Sequence, residues 1–222
     1  MMPFEGGMQS TPNGTLLLSV AAAVIYGIVI DTRPSLLRSV VKTAAVALLA
    51  LLAVLQQGPP LLIAALVLSA VGDAFLSRDG ERAFLAGLAS FLAAHVAFAT
   101  LFATRGGGLA VLATPAAAIA AALLVVVAVV MLVLLWRRVG PTLRLPIAAY
   151  TLAILATGAF ALTTLDPLII GGAALLILGD VLLAVDRFLA PSISPNRQTT
   201  RRISWAAYYA GQLSIVLALL TI

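Results

Sequence analysis

The chain contains no cysteine, which excludes both a disulfide framework and a thiolate metal site. It contains one histidine, His95, which excludes a metal centre built from several imidazoles. Charged residues make up only 9% of the sequence and aromatic residues 6%. Apolar residues fill the rest: 63% of the 222 residues are hydrophobic, and the mean hydropathy is +1.16. A soluble fold of this composition would lack the polar surface to cover its exterior, whereas a bilayer makes an apolar exterior the stable one. The net charge of +5 suggests an anionic partner. The basic residues, however, lie between apolar runs rather than in one patch, so nucleic acid is excluded and membrane lipid is the expected partner.

A spanning helix needs about 20 apolar residues. Eight runs qualify, at about 15–30, 36–55, 60–78, 82–103, 109–136, 144–164, 167–186 and 203–222. The breaks between them carry turn formers together with charge, as in Thr32-Arg33-Pro34, Gln57-Gly58-Pro59-Pro60 and Arg78-Asp79-Gly80. The expectation is one all-α transmembrane domain over 1–222, with a polar N-terminal segment at 1–14 and a polar loop at 191–202. No Lys or Arg precedes the first run, so it is read as a retained span rather than a cleaved signal. Of the 13 Lys and Arg, eleven fall after spans one, three, five and seven; Arg105 alone lies on the other side, and Lys42 is inside span two. That bias predicts cytoplasmic basic loops, with both termini outside, in a bacterial plasma membrane.

An ionisable group within a span is costly and faces the bundle interior or a wet cavity, which makes it a candidate for function. The candidates are Lys42, Ser69 and Asp73, His95, Tyr150, Asp180, and Tyr208, Tyr209 and Gln212. Counted from the nearest loop arginine, Lys42, Asp73, Tyr150, Asp180 and Tyr209 lie ~6–11 Å inside the basic boundary. Five helices thus carry polar groups to one depth, as a shared site requires. Ser69 and Asp73 share a helix face at i, i+4, as do Tyr208 and Gln212. Several candidates also have a plainer reading. Lys42 could snorkel to the headgroups, His95 could bridge two helices, the tyrosines could sit at an interface, and Asp73 could form an ion pair with Lys42. Asp79 and Asp186 are at the boundary and call for no functional role. Span five offers no polar group between Ala116 and Leu135 and is expected at the periphery.

Span three ends Gly72-Asp73-Ala74-Phe75-Leu76-Ser77-Arg78-Asp79, and span seven ends Gly179-Asp180-Val181-Leu182-Leu183-Ala184-Val185-Asp186. Both read G-D-x-x-L-x-x-D. Four spans separate the copies, so the pattern predicts a parallel four-plus-four repeat.

The chain resembles the YhhN family, whose members include lysoplasmalogenases. The resemblance rests on L-S-A-V-G-D-A-F-L at 68–76, G-L-A-S-F-L-A-A-H-V-A-F at 87–98, G-G-A-A-L-L-I-L-G-D-V-L-L-A-V-D-R-F at 171–188 and A-Y-Y-A-G-Q-L-S-I at 207–215. It departs from the family's usual pattern at Thr43, where proline commonly follows the lysine, and at Gly179, where serine commonly precedes the aspartate. The resemblance implies hydrolysis of the vinyl-ether bond of a lysophospholipid, without cofactor or metal. Asp73 and Asp180 would act as acid and carboxylate. Lys42 and loop arginines would hold the phosphate. His95, Tyr150, Tyr209 and Gln212 would orient carboxylates and water, with Ser69 and Tyr208 beside them. Other classes remain open. A proton-coupled transporter could use the same aspartates as a relay. A metal-dependent amidase would need Asp-rich coordination. A serine hydrolase through Ser69 lacks the G-x-S-x-G elbow.

Overall fold

The computed structural model describes residues 2–190 and 196–221. Eight helices follow one another: α1 (Thr11–Val29), α2 (Leu36–Leu55), α3 (Pro60–Leu76), α4 (Glu81–Arg105), α5 (Pro115–Trp136), α6 (Pro141–Thr163), α7 (Pro167–Ala184) and α8 (Arg197–Leu220). Prolines open α3, α5, α6 and α7, where the missing N–H costs nothing because the first helical donors have no acceptor in any case. Asp166 caps α7 by accepting from the amides of Leu168 and Ile169 at 2.8 and 3.2 Å. Seven helices are long and apolar enough to cross a bilayer. The 17 residues of α3 reach ~25 Å, at the short end of the spanning range. The protein is a polytopic helical membrane protein.

Three expected boundaries move. The first helix starts at Thr11 inside the segment expected to be polar coil, and the amide of its buried Asn13 accepts from Phe4 N–H and donates to Phe4 C=O at 3.2 and 2.7 Å. Those bonds fasten the N-terminal segment over the helix end. The polar loop at 191–202 is helical from Arg197, and its residues 191–195 lie outside the described residues. Arg197 and Arg201, one turn apart, both reach Asp186, which fixes the first turn of α8. The fifth run divides, with Leu109–Ala113 forming a 3₁₀ turn before Pro115 starts α5.

The packing repeats with the sequence. Helix α3 packs on α4 as α7 packs on α8, α1 on α2 as α5 on α6, and α2 on α3 as α6 on α7. The halves meet through α4 against α6 and through α2 against α8, with α1 also touching α8. Advancing each helix by four reproduces these contacts apart from α1 on α8, which is the four-plus-four arrangement. Glycines set the tightest approaches. A Cβ on Gly211 would stand 2.7 Å from the carbonyl oxygen of Gly172, and one on Gly72 would stand 2.6 Å from the Phe91 ring. In lipid, where tails are as apolar as leucine, such close backbone packing is what holds helices together.

Candidate functional site

Asp73 and Asp180, one from each half, line a single cavity of about 320 Å³, and Asp186 is also part of its wall. Asp73 near the end of α3 is buried, with 1% exposure. Its Oδ1 stands 3.0 Å from Lys42 Nζ on α2, and its Oδ2 accepts from the Tyr208 hydroxyl on α8 at 2.9 Å. Asp180 on α7 meets His95 Nε2 of α4, with 2.7 Å to its Oδ2. The other ring nitrogen, Nδ1, is 3.1 Å from Thr157 Oγ1 on α6. Tyr150, a second α6 side chain, sets its ring edge-on to His95 at 5.5 Å between centroids and also lines the cavity.

The two half-sites correspond. Lys42 on α2 flanks Asp73 on α3 as Tyr150 on α6 flanks Asp180 on α7, and the partners cross over: α8 supplies Tyr208 to Asp73, while α4 supplies His95 to Asp180. Each acid is therefore held by a helix of the other half.

Behind them lies a cavity of about 10 Å³ bounded by Ser69, His95, Asp180, Tyr208 and Gln212, among others. Gln212 is 1% exposed and donates from Nε2 to Ser69 Oγ at 3.0 Å. Its Oε1 has no protein partner among the described residues. A polar pocket of ~10–15 Å³ suffices for one water.

Most residues expected from the sequence converge: Lys42, Asp73, Tyr150, Asp180 and Tyr208 line the larger cavity, and Ser69, His95 and Gln212 line the smaller one. Two expectations shift. Tyr209 lies outside both cavities; its hydroxyl donates to Ser19 Oγ at 2.7 Å, because Ser19 spends its own proton on Ala45 C=O at 2.6 Å. Lys42 is engaged with Asp73, whereas Arg38, Arg78 and Arg187 line the same cavity without an acid partner among the described residues.

Four contributions were missed. Thr157 is fully buried against His95, and its spacing of seven from Tyr150 put both on one helix face. Tyr26 and Trp205 pack edge to face at 4.4 Å and form cavity wall. Asp186, set aside as a boundary residue, is buried and takes Arg197 Nε at 2.7 Å and Arg201 Nε at 3.2 Å; its place in the repeat had marked it. It sits in a π-helical turn, Val185–Leu189, a type of turn frequent at functional sites. Helix α5 also gives the cavity a wall.

The YhhN family model matches residues 37–219, which include both aspartates and every partner named for them. The chain belongs to the YhhN family. Searches of curated proteins and of solved structures find no match. Among the described residues, no three His, Asp or Glu side chains converge as a metal's ligands would.

Proposed function

We propose that this YhhN-family protein hydrolyses the vinyl-ether bond of a lysoplasmalogen-type lysophospholipid, releasing a fatty aldehyde and a glycerophospho-alcohol. One observation carries the reading: two aspartates, Asp73 buried and Asp180 half-buried, face one cavity with different hydrogen-bond partners. Asp73 faces only donors, Lys42 and Tyr208, and is read as a standing carboxylate.

The His95–Asp180 pair is read as holding a transferable proton. Thr157 Oγ1 has carbonyl acceptors at 2.9 Å (Ala153) and 3.0 Å (His95), both nearer than His95 Nδ1 at 3.1 Å. With its proton spent on a carbonyl, Thr157 accepts from Nδ1–H. Nε2 and Asp180 Oδ2 then need one proton between them to sit 2.7 Å apart.

The reaction uses that asymmetry. The Asp180 side delivers its proton to the β-carbon of the vinyl ether; the double-bond electrons form the new C–H bond and leave an oxocarbenium ion. The carboxylates of Asp180 and Asp73 face that cation, a division of labour similar to a glycosidase's. A water on Gln212 Oε1 adds to the cationic carbon and returns a proton to the emptied Asp180–His95 pair. The hemiacetal then collapses: the Asp180–His95 pair gives its proton to the ether oxygen as the C–O bond breaks, and the hydroxyl returns one to the pair as the C=O forms, leaving aldehyde and alcohol. Arginines at the cavity mouth serve the phosphate.

The test is a panel of vinyl-ether, alkyl-ether and acyl lysolipids with purified protein, read by aldehyde release. Only the vinyl ether should be cleaved, since an alkyl ether offers no carbon to protonate. Proton-driven solute movement in sealed vesicles without aldehyde release would replace this reading with transport.

A further inference from the structure

Helix α5 is the most lipid-exposed of the candidate spans, with 11% of its most apolar window buried against 61% for α8. It packs along α6, and its contact with α7 is slight until the turn that follows α7. Yet its inner stripe, Leu124, Val127, Ala128, Met131 and Leu135, lines the cavity that holds the acids. These positions recur at helical spacing, and the residues between them, Leu132 apart, are exposed. The stripe runs over twelve residues, ~16 Å from first to last.

Two closures frame the slot between α5 and α7. Towards the basic face, Leu135 packs with Val139 and Ile147, and Ala184, Phe188 and Leu189 gather on that cluster. At the far end, Leu124 crosses over Gly158 of α6 towards Ile177 of α7: a Cβ built on Gly158 would lie 2.5 Å from Leu124 Cδ2 and 3.1 Å from Ile177 Cδ1. Between these closures α5 presents Val127, Ala128 and Met131 to a cavity that α7 walls with Ile177 and Val181.

We propose that the slot between α5 and α7 is the lateral portal and seat for the single hydrocarbon chain of a lysophospholipid. The occupant follows from the cavity's polarity. Arginines stand at one end, the two acids in the middle, and an aliphatic wall runs past the acids to Leu124. A headgroup phosphate and one alkyl chain match that order, with the bond between them beside Asp73 and Asp180. The chain is thereby held where bilayer hydrocarbon already surrounds α5, so it reaches the acids without crossing water. The inference rests on the hydrolase reading for the bond cleaved, but not for the chain's seat.

The experiment uses the full chain in nanodiscs and a long-chain 1-O-alkyl lysophosphatidylcholine carrying a mid-chain diazirine, which resists hydrolysis. Photolabelling should concentrate on the stripe from Leu124 to Met131 and on Ile177 and Val181, and excess unlabelled lysolipid should suppress it. Ala128→Phe or Met131→Trp should cut that labelling at least severalfold. The same variants should lower the long-chain to short-chain ratio of kcat/KM on vinyl ethers about tenfold, as expected when pocket volume is removed. Ile119→Trp, on the lipid-facing side of α5, should leave the ratio alone. Labelling spread evenly over outward positions such as Ile28, Ile119 and Leu152 would overturn the portal. Equal labelling of the slot by a diacyl probe would overturn the single-chain occupant. Absence of any vinyl-ether cleavage, with the slot still labelled, would remove the hydrolase reading and keep the chain site.

Discussion

The two half-sites share a sequence pattern but not a set of partners. In the first, Asp73 is bracketed by the Lys42 ammonium and the Tyr208 hydroxyl. In the second, Asp180 has an imidazole, and that imidazole is held on its far side by a hydroxyl. In the proposed mechanism one half fixes a charge and the other passes a proton. The repeat places two acids in equivalent positions, and in the proposed mechanism the difference in their neighbours separates their tasks.

The sharpest way to break this comparison is to neutralise each acid in turn. Asp180→Asn should lower aldehyde release by about 10³-fold or more, within the upper range for losing a positioned proton donor. Asp73→Asn should cost about 10²-fold, the scale of losing one preorganised charge contact. Both are read from kcat on monodisperse purified protein. Equal losses, or full activity in either variant, would end the division of roles.

The converse prediction concerns stability. Lys42→Met leaves the buried Asp73 carboxylate without its cation and should destabilise the fold by about 3–5 kcal/mol. The double variant Lys42→Met/Asp73→Asn should recover most of that loss, because neither buried charge remains. Reversible unfolding in mixed micelles measures both, and a double variant as unstable as the single would show that the pair is not what Lys42 supplies.

The sequence reported the half-sites unevenly, for a physical reason. Asp73, Asp180, Lys42 and His95 stand out because charge within an apolar run is costly and therefore legible. The G-D-x-x-L-x-x-D repeat likewise foretold that α3 and α7 would take equivalent places, and the packing agrees. Pairing across the halves was not legible, since nothing in the local pattern of α8 says that Tyr208 turns to Asp73 while Tyr209 turns to Ser19. The inner face of α5 was invisible for the opposite reason. A helix that is apolar on every side has no polar face to mark which side meets protein and which meets lipid. Thr157 was overlooked because a hydroxyl in a span can satisfy itself on its own helix, as Thr157 also does with Ala153.

Smaller effects sharpen the comparison within the second half-site. Thr157→Val should lower kcat about tenfold by freeing the imidazole that presents the proton, and Thr157→Ser should restore it, since only the hydroxyl is needed. Gln212→Met keeps the side chain's bulk and removes its hydrogen bonds. It should lower kcat about tenfold and leave KM unchanged, as loss of an interaction made only as water attacks would. A matching rise in KM would mean that Gln212 shapes the lipid's seat instead of the water's.

The smallest effect comes from the neighbouring tyrosines, and it tests whether geometry or mere depth defines the site. Both sit on α8 at the depth of the acids, both are buried, and sequence position alone gives them equal standing. The structure separates them by direction, Tyr208 donating to Asp73 and Tyr209 to Ser19 on α1. Tyr208→Phe removes a donor from the standing carboxylate and should lower kcat several-fold. Tyr209→Phe should change kcat by less than twofold and cost only the ~1 kcal/mol of an ordinary hydrogen bond in stability. Equal kinetic losses in the two variants would mean that the α1–α8 contact governs the cavity as strongly as the carboxylate's own partners do, and the boundary drawn around the site would have to include Ser19.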